Sequence, residues 1–232
     1  MKNIIRDIEK DEIKRVYLIY GEEKYLIRNI KEKLLKGLVN EGDNMNFSKF
    51  SGKDCNAKQI IDMAETLPFF AKYRVILLEN TEWFKSANED MASYIEGIPE
   101  SCVLIFVESD VDKRNKLYKQ VKSHGYICEC SRMNNAELTK WILVRLKREK
   151  KNITRENMNY LLEKLGNDMD NITCELDKLV SYTMNKDVIE KEDIDKVCIS
   201  EITGKIFEMI DAIGSKNQKR ALDLYYDLIA VR

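Results

Sequence analysis

Phosphate chemistry imposes a strict spacing on a chain. A nucleotide cradle of the form G-x-x-x-x-G-K-[ST] uses glycine amides to hold phosphates, while the lysine and hydroxyl meet charge and Mg²⁺. Here the first apolar run ends in Gly21-Glu22-Glu23-Lys24, which sets two carboxylates where phosphates would have to approach. The remaining Gly-Lys steps are Gly52-Lys53, followed by Asp54, and Gly204-Lys205, followed by Ile206; neither has a glycine five residues earlier. The spacing therefore argues against ATP hydrolysis by this route. Acids end two other apolar runs, Glu79-Asn80 and Glu108-Ser109-Asp110. Without a phosphate or metal to act on, they read as polar strand ends, because carboxylates become an acid–base pair only when spacing and burial tune them. The lone histidine, His124, cannot build a multi-histidine metal site. The six cysteines contain one close pair, Cys128-x-Cys130, short of the four ligands a structural zinc needs. No catalytic residue, metal or cofactor is expected.

What remains is surface. Thr66-Leu67-Pro68-Phe69-Phe70-Ala71 joins a helical stretch to an apolar run. Pro68 stops the helix and biases Leu67 towards an extended conformation. Two adjacent aromatics on an extended segment cannot face the same core, since successive side chains point oppositely. Two readings stay open: both rings tucked under the helix as core, or an aromatic anchor for a protein pocket, the usual character of an interface hot spot. A basic stretch, Lys140, Arg145, Lys147, Arg148, Lys150, Lys151 and Arg155, could track phosphates, or could be a solvated helix face relieved by Glu137 and Glu149. Asp112-Lys113-Arg114 reads as a helix N-terminus or as a contact to a neighbouring subunit.

The elements that must position these residues follow from hydrophobic period. Val16–Tyr20, Met45–Phe50, Arg74–Leu78, Cys102–Val107 and Tyr126–Cys130 are short apolar runs, and helical spacing fills the gaps between them. Apolar strands alternating with helices point to a parallel sheet covered on both faces. From Asn134 onward the strands vanish. Helical patterns run through Leu138–Leu146, through Met158–Leu165 with Thr154 as N-cap and Gly166 as stop, through Ile172–Val180, and briefly at Ile194–Val197. Two further amphipathic patterns follow in Ile202–Arg232, with little left to pack on. The expected fold class is α/β: an AAA+-like parallel-sheet domain over residues 1–132, a small helical lid over 133–201, and the first helices of a third domain over 202–232. At 232 residues, with 39 Lys+Arg against 40 Asp+Glu, the chain has ample core and no global pull towards polyanions. Its charged N-terminus lacks the apolar core of a signal peptide, and no apolar run nears the roughly 20 residues that span a bilayer. A cytoplasmic protein with no membrane contact is expected.

In order and spacing, VYLIYGEEKYLI (16–27), F-S-G (50–52), TLPFFAKYRVILLEN (66–80), LIFVESDVDKRNKLYK (104–119), CELDKLVSY (174–182) and KIFEMIDAI (205–213) resemble the delta subunit of the bacterial DNA polymerase III clamp loader. The resemblance covers essentially the whole chain. It implies an AAA+ fold that has lost ATPase activity and serves DNA replication by binding the sliding clamp (the beta subunit) and helping to open that ring for loading onto primed DNA. By position, the family's clamp-binding element falls on Leu67, Pro68, Phe69 and Phe70, which favours the anchor over the core reading. Members also carry a helical collar that assembles the loader with its other subunits; here it would start near Ile202 and be mostly absent. The rival functions are a divergent AAA+ ATPase and a direct DNA-binding module built on Lys140–Arg155.

Overall fold

Five apolar runs become the strands of one sheet in the computed structural model, which describes residues 12–53, 55–198, 209–210, 212–215 and 217–230. The chain divides into two compact units after Arg132. In the first unit the strands are β1 (Val16–Gly21), β2 (Phe47–Ser51), β3 (Arg74–Glu79), β4 (Cys102–Glu108) and β5 (Tyr126–Cys130). They pair in the order β2-β3-β4-β1-β5, and every pairing is parallel. β4 is buried at all seven positions, as a central strand covered on both faces must be.

Helices supply the cover. Between the strands run α1 (Lys24–Leu38), α2 (Ala57–Ala64), α3 (Glu89–Tyr94) and α4 (Lys116–His124). Leu18, Tyr20, Ile76, Leu78, Leu104 and Phe106 form one face of the sheet and pack with Ile60, Ala64, Met91, Leu117 and Val121 from α2, α3 and α4. On α1, Leu26, Ile30 and Leu34 are buried, and this helix packs on β1 and β5. Each fully buried aliphatic side chain of this kind is worth roughly 1.5–3 kcal/mol. The Asp112-Lys113-Arg114 triplet is not a helix N-terminus. Asn115 caps α4 through Leu117 N (2.8 Å), while Asp112 accepts from the backbone and guanidinium of Arg114 in the turn before it.

The second unit contains α5 (Asn135–Arg148), α6 (Arg155–Leu165), α7 (Met169–Tyr182) and α8 (Lys191–Val197). Asn134 and Glu137 form a capping box on α5, and Thr154 caps α6 through Asn157 N. Strands do occur after residue 134: β6 (Asn152–Ile153) pairs in parallel with β7 (Val188–Ile189). Two-residue strands are too short to carry a period, so no hydrophobic pattern marks them. Beyond them lie helical residues 209–210 and 212–214, and α9 (Gln218–Ala230). Ile210, Ile213, Leu222, Tyr225, Tyr226 and Ile229 are exposed there, while Ile202 and Ile206 lie outside the described residues.

Lys151 ties this unit together. The side chain is buried, and its ammonium donates to the carbonyls of Thr183 (2.6 Å), Met184 (3.3 Å) and Lys186, closing the end of α7 and the turn into β7. Replacing it with an apolar residue of similar length strands those acceptors. Lys151→Met is expected to cost about 2 kcal/mol, read as a lowered urea midpoint with an unchanged slope.

Candidate functional site

Where a nucleotide cradle would lie, between β1 and α1, the turn is filled from within. Gly21 adopts φ +138°, and a Cβ there would sit 2.3 Å from the carbonyl oxygen of Cys130, so only glycine fits. The Glu23 N–H donates to that same carbonyl at 3.0 Å. The Glu23 carboxylate caps α1 by accepting from Tyr25 N at 3.2 Å. The helix N-terminus therefore already holds an anion, its own. Glu22 stands exposed, 3.7 Å from Arg132.

The strand-end acids are likewise engaged in the architecture. Glu79, at the end of β3, pairs with Lys31 of α1 (2.8 Å) and Lys49 of β2 (2.7 Å). Burial pushes its carboxyl up, but the two ammonium groups outweigh this and hold it below the usual carboxylate range. Glu108, at the end of β4, is buried and accepts from Thr81 Oγ1 (2.6 Å), Thr81 N (2.9 Å) and Glu82 N (3.4 Å). Those bonds hold a turn in which Asn80 and Glu82 have φ +53° and +61°. Here burial prevails and raises the carboxyl. Lys53 meets Glu82 at 2.8 Å. Gly204 and Lys205 lie outside the described residues.

His124 is exposed at the end of α4, and all six cysteines are free thiols. Burial pushes Cys102 and Cys198 up to about 12, whereas a hydrogen bond with Cys130 lowers Cys128. Among the described residues, no three His, Cys, Asp or Glu side chains converge to hold a metal. The basic stretch is not one surface. Arg145 pairs with Asp177 (2.6 Å) and lies over the Trp141 ring, and Lys151 is buried, leaving Lys140, Lys147, Arg148, Lys150 and Arg155 exposed.

The segment between α2 and β3 is a projecting apolar tip. Leu67, Phe69 and Phe70 are 76%, 56% and 94% exposed, so the core arrangement is not the one adopted. Pro68 between them is half-buried. The rings of Phe69 and Phe70 meet edge to face with centroids 4.5 Å apart, and Phe70 has φ +50°. Two residues that the sequence marks only as parts of apolar runs, Asn46 and Arg74, fix the backbone. Asn46 accepts from Phe69 N (2.6 Å) and donates to Phe69 O (2.9 Å). Arg74 donates to the carbonyls of Thr66 (2.9 Å), Leu67 (3.3 Å) and Met45 (3.4 Å). Met45 itself is 65% exposed and adds an apolar side chain to this end of the unit. No local pattern links Asn46 to a segment 23 residues away; only the parallel register of β2 on β3, with Val75 N bound to Asn46 O at 2.8 Å, brings them together.

Residues 17–131 match the family model described as "DNA polymerase III, delta subunit". The chain is 26% identical over 239 residues to the DNA polymerase III subunit delta of Bacillus subtilis, an alignment covering 98% of this chain and 69% of the relative. It is 22% identical over 229 residues to the probable DNA polymerase III subunit delta of Aquifex aeolicus, covering 93% of this chain and 64% of that one. The solved structure of the Bacillus subtilis DNA clamp loader delta protein superposes with a TM-score of 0.79 at 24% identity, over 100% of this chain and 72% of that one. The fold is thus AAA+-like, and the chain spans about two thirds of the length of these relatives.

Because the carboxyl of Glu79 is held low in the folded state, its contribution to stability is present above the unfolded carboxylate range and is lost as pH falls through the folded value. Glu79→Gln is expected to lower stability by about 1 kcal/mol at pH 7. Urea titrations should show its gap to the parent closing as pH drops below about 4. A gap that widens on acidification would contradict the ion-pair assignment.

Proposed function

Because residues 17–131 match the family model of the DNA polymerase III delta subunit, we propose that this chain is a non-ATPase clamp-loader subunit that grips the sliding clamp through Leu67, Pro68, Phe69 and Phe70 and helps open the ring during DNA replication. The observation that carries this reading is the outward placement of both phenylalanines, 56% and 94% exposed, beside Leu67 at 76%. Soluble proteins seldom present several large apolar side chains together without a partner to cover them. Burying each in a matching pocket is worth roughly 1.5–3 kcal/mol, enough for a few residues to dominate an interface.

Opening then needs no chemistry in this chain. A ring that exposes more complementary surface when partly open shifts towards that state by the difference in its affinity for the tip. Nucleotide-driven steps would fall to partner subunits, consistent with Glu22 and Glu23 standing where phosphates would bind. Primed DNA is met within the assembled loader rather than by this chain alone. The exposed apolar side chains of α9 suit a helical collar that assembles with other subunits. A cytoplasmic setting fits this role; among the described residues no helix is long and apolar enough to cross a membrane. The rival reading of a DNA-binding stretch is weakened by the internal engagement of Arg145 and Lys151.

Calorimetric titration of the chain into its cognate sliding clamp tests the reading. Phe69→Ala/Phe70→Ala is expected to weaken binding about 100-fold or more, since two hot-spot aromatics are removed. Equal affinity of parent and double variant would remove the tip as the anchor.

A further inference from the structure

An exposed aromatic loop that merely dangled would bind weakly, because ordering it would be charged against every association. This tip is ordered in advance, residue by residue. Arg74 holds the carbonyls of Thr66 and Leu67, the ring of Pro68 limits its own φ, and Phe69 is bound on both its N–H and its carbonyl. Only Phe70 is left in an unfavourable conformation, φ +50°, a region that non-glycine residues occupy at a cost unless their surroundings impose it.

Asn46 imposes it. Asn46 is 4% exposed, and both polar atoms of its amide are bonded to Phe69. Oδ1 accepts from Phe69 N, and Nδ2 donates to both Phe69 O and the Asp43 carboxylate (2.8 Å). Asp43 in turn accepts from Met45 N (3.0 Å) and Asn46 N (2.9 Å), which fixes the direction in which the amide points. The amide therefore acts on Phe69 as a neighbouring strand would, immediately before the residue that must turn outward.

We infer that Asn46, oriented by Asp43, is a positioning residue for clamp binding: it touches no part of the clamp and acts by locking Phe69 and Phe70 in their outward, edge-to-face arrangement. This rests on the proposed clamp-binding role of the tip. It adds a segment, residues 43–46, that lies outside the apolar motif itself.

Asn46→Ala keeps the backbone bond from Val75 N to Asn46 O and removes only the amide. Two lost hydrogen bonds correspond to about a tenfold loss of clamp affinity. In a Phe70→Ala background the same change is expected to cost less than about threefold, because the side chain it positions is gone. Hydrogen exchange at residues 67–72 should quicken, with amides of β3 and β4 unchanged. Asp43→Ala, which leaves the Phe69 bonds in place but frees the amide to turn, should show a smaller loss in the same direction. It also serves as the second variant if Asn46→Ala folds poorly. An unchanged clamp affinity in Asn46→Ala would overturn the inference, as would equal losses in both backgrounds or faster exchange throughout the sheet. A parent chain that does not bind the clamp, or a Phe69→Ala/Phe70→Ala variant that binds as the parent does, would sink the functional reading instead. In that case the exchange pattern alone still decides whether Asn46 orders the tip.

Discussion

Parallel pairing of β3 between β2 and β4 is the constraint from which the rest of the first unit follows. Parallel strands put all their C-terminal ends on one edge of a sheet and all their entries on the other. The turn after β1 and the acids Glu79 and Glu108 therefore share one edge. The tip, which leads into β3, and Asn46, which leads into β2, share the opposite one. The strand-end acids and the exposed apolar tip are thus separated by topology, so either edge can diverge without disturbing the other.

The two strand-end acids serve the architecture of their edge. Glu79 is ionised between two lysines and favours the fold at neutral pH; Glu108 is raised by burial, so its contribution grows as pH falls. Both still do positional work. Glu79 joins α1 and β2 to β3, and Glu108 holds the left-handed turn at Asn80–Glu82. Carboxylates at the ends of sheet strands thus have a role without phosphate or metal.

The sheet was legible because short runs of strand-forming residues recur between helical patterns, and the three inner strands β1, β3 and β4 are apolar and buried at nearly every position. The tip was legible as a location: Pro68 breaks the helix and two aromatics follow. Its outward geometry was not, because alternation says only that Phe69 and Phe70 differ in direction, and the structure places both outside. Contacts across 23 to 33 residues, Asn46 to Phe69 or Lys151 to Thr183 and Met184, leave no period to read. The turn at Asp112–Arg114 misled for a related reason. An acidic residue before a helical pattern suits a cap, but Asn115 stands closer to the helix and takes the position.

Phe70 sits where a glycine would be more comfortable. With φ +50° and its ring 94% in solvent, it adds backbone cost and almost no packing to the isolated chain. Selection for stability alone would erode this position towards glycine or asparagine. Selection for partner recognition would keep a large ring there against that pressure. The two pressures would point in opposite directions at one residue, so tolerance of substitution at Phe70 separates what the fold requires from what recognition of a partner would require.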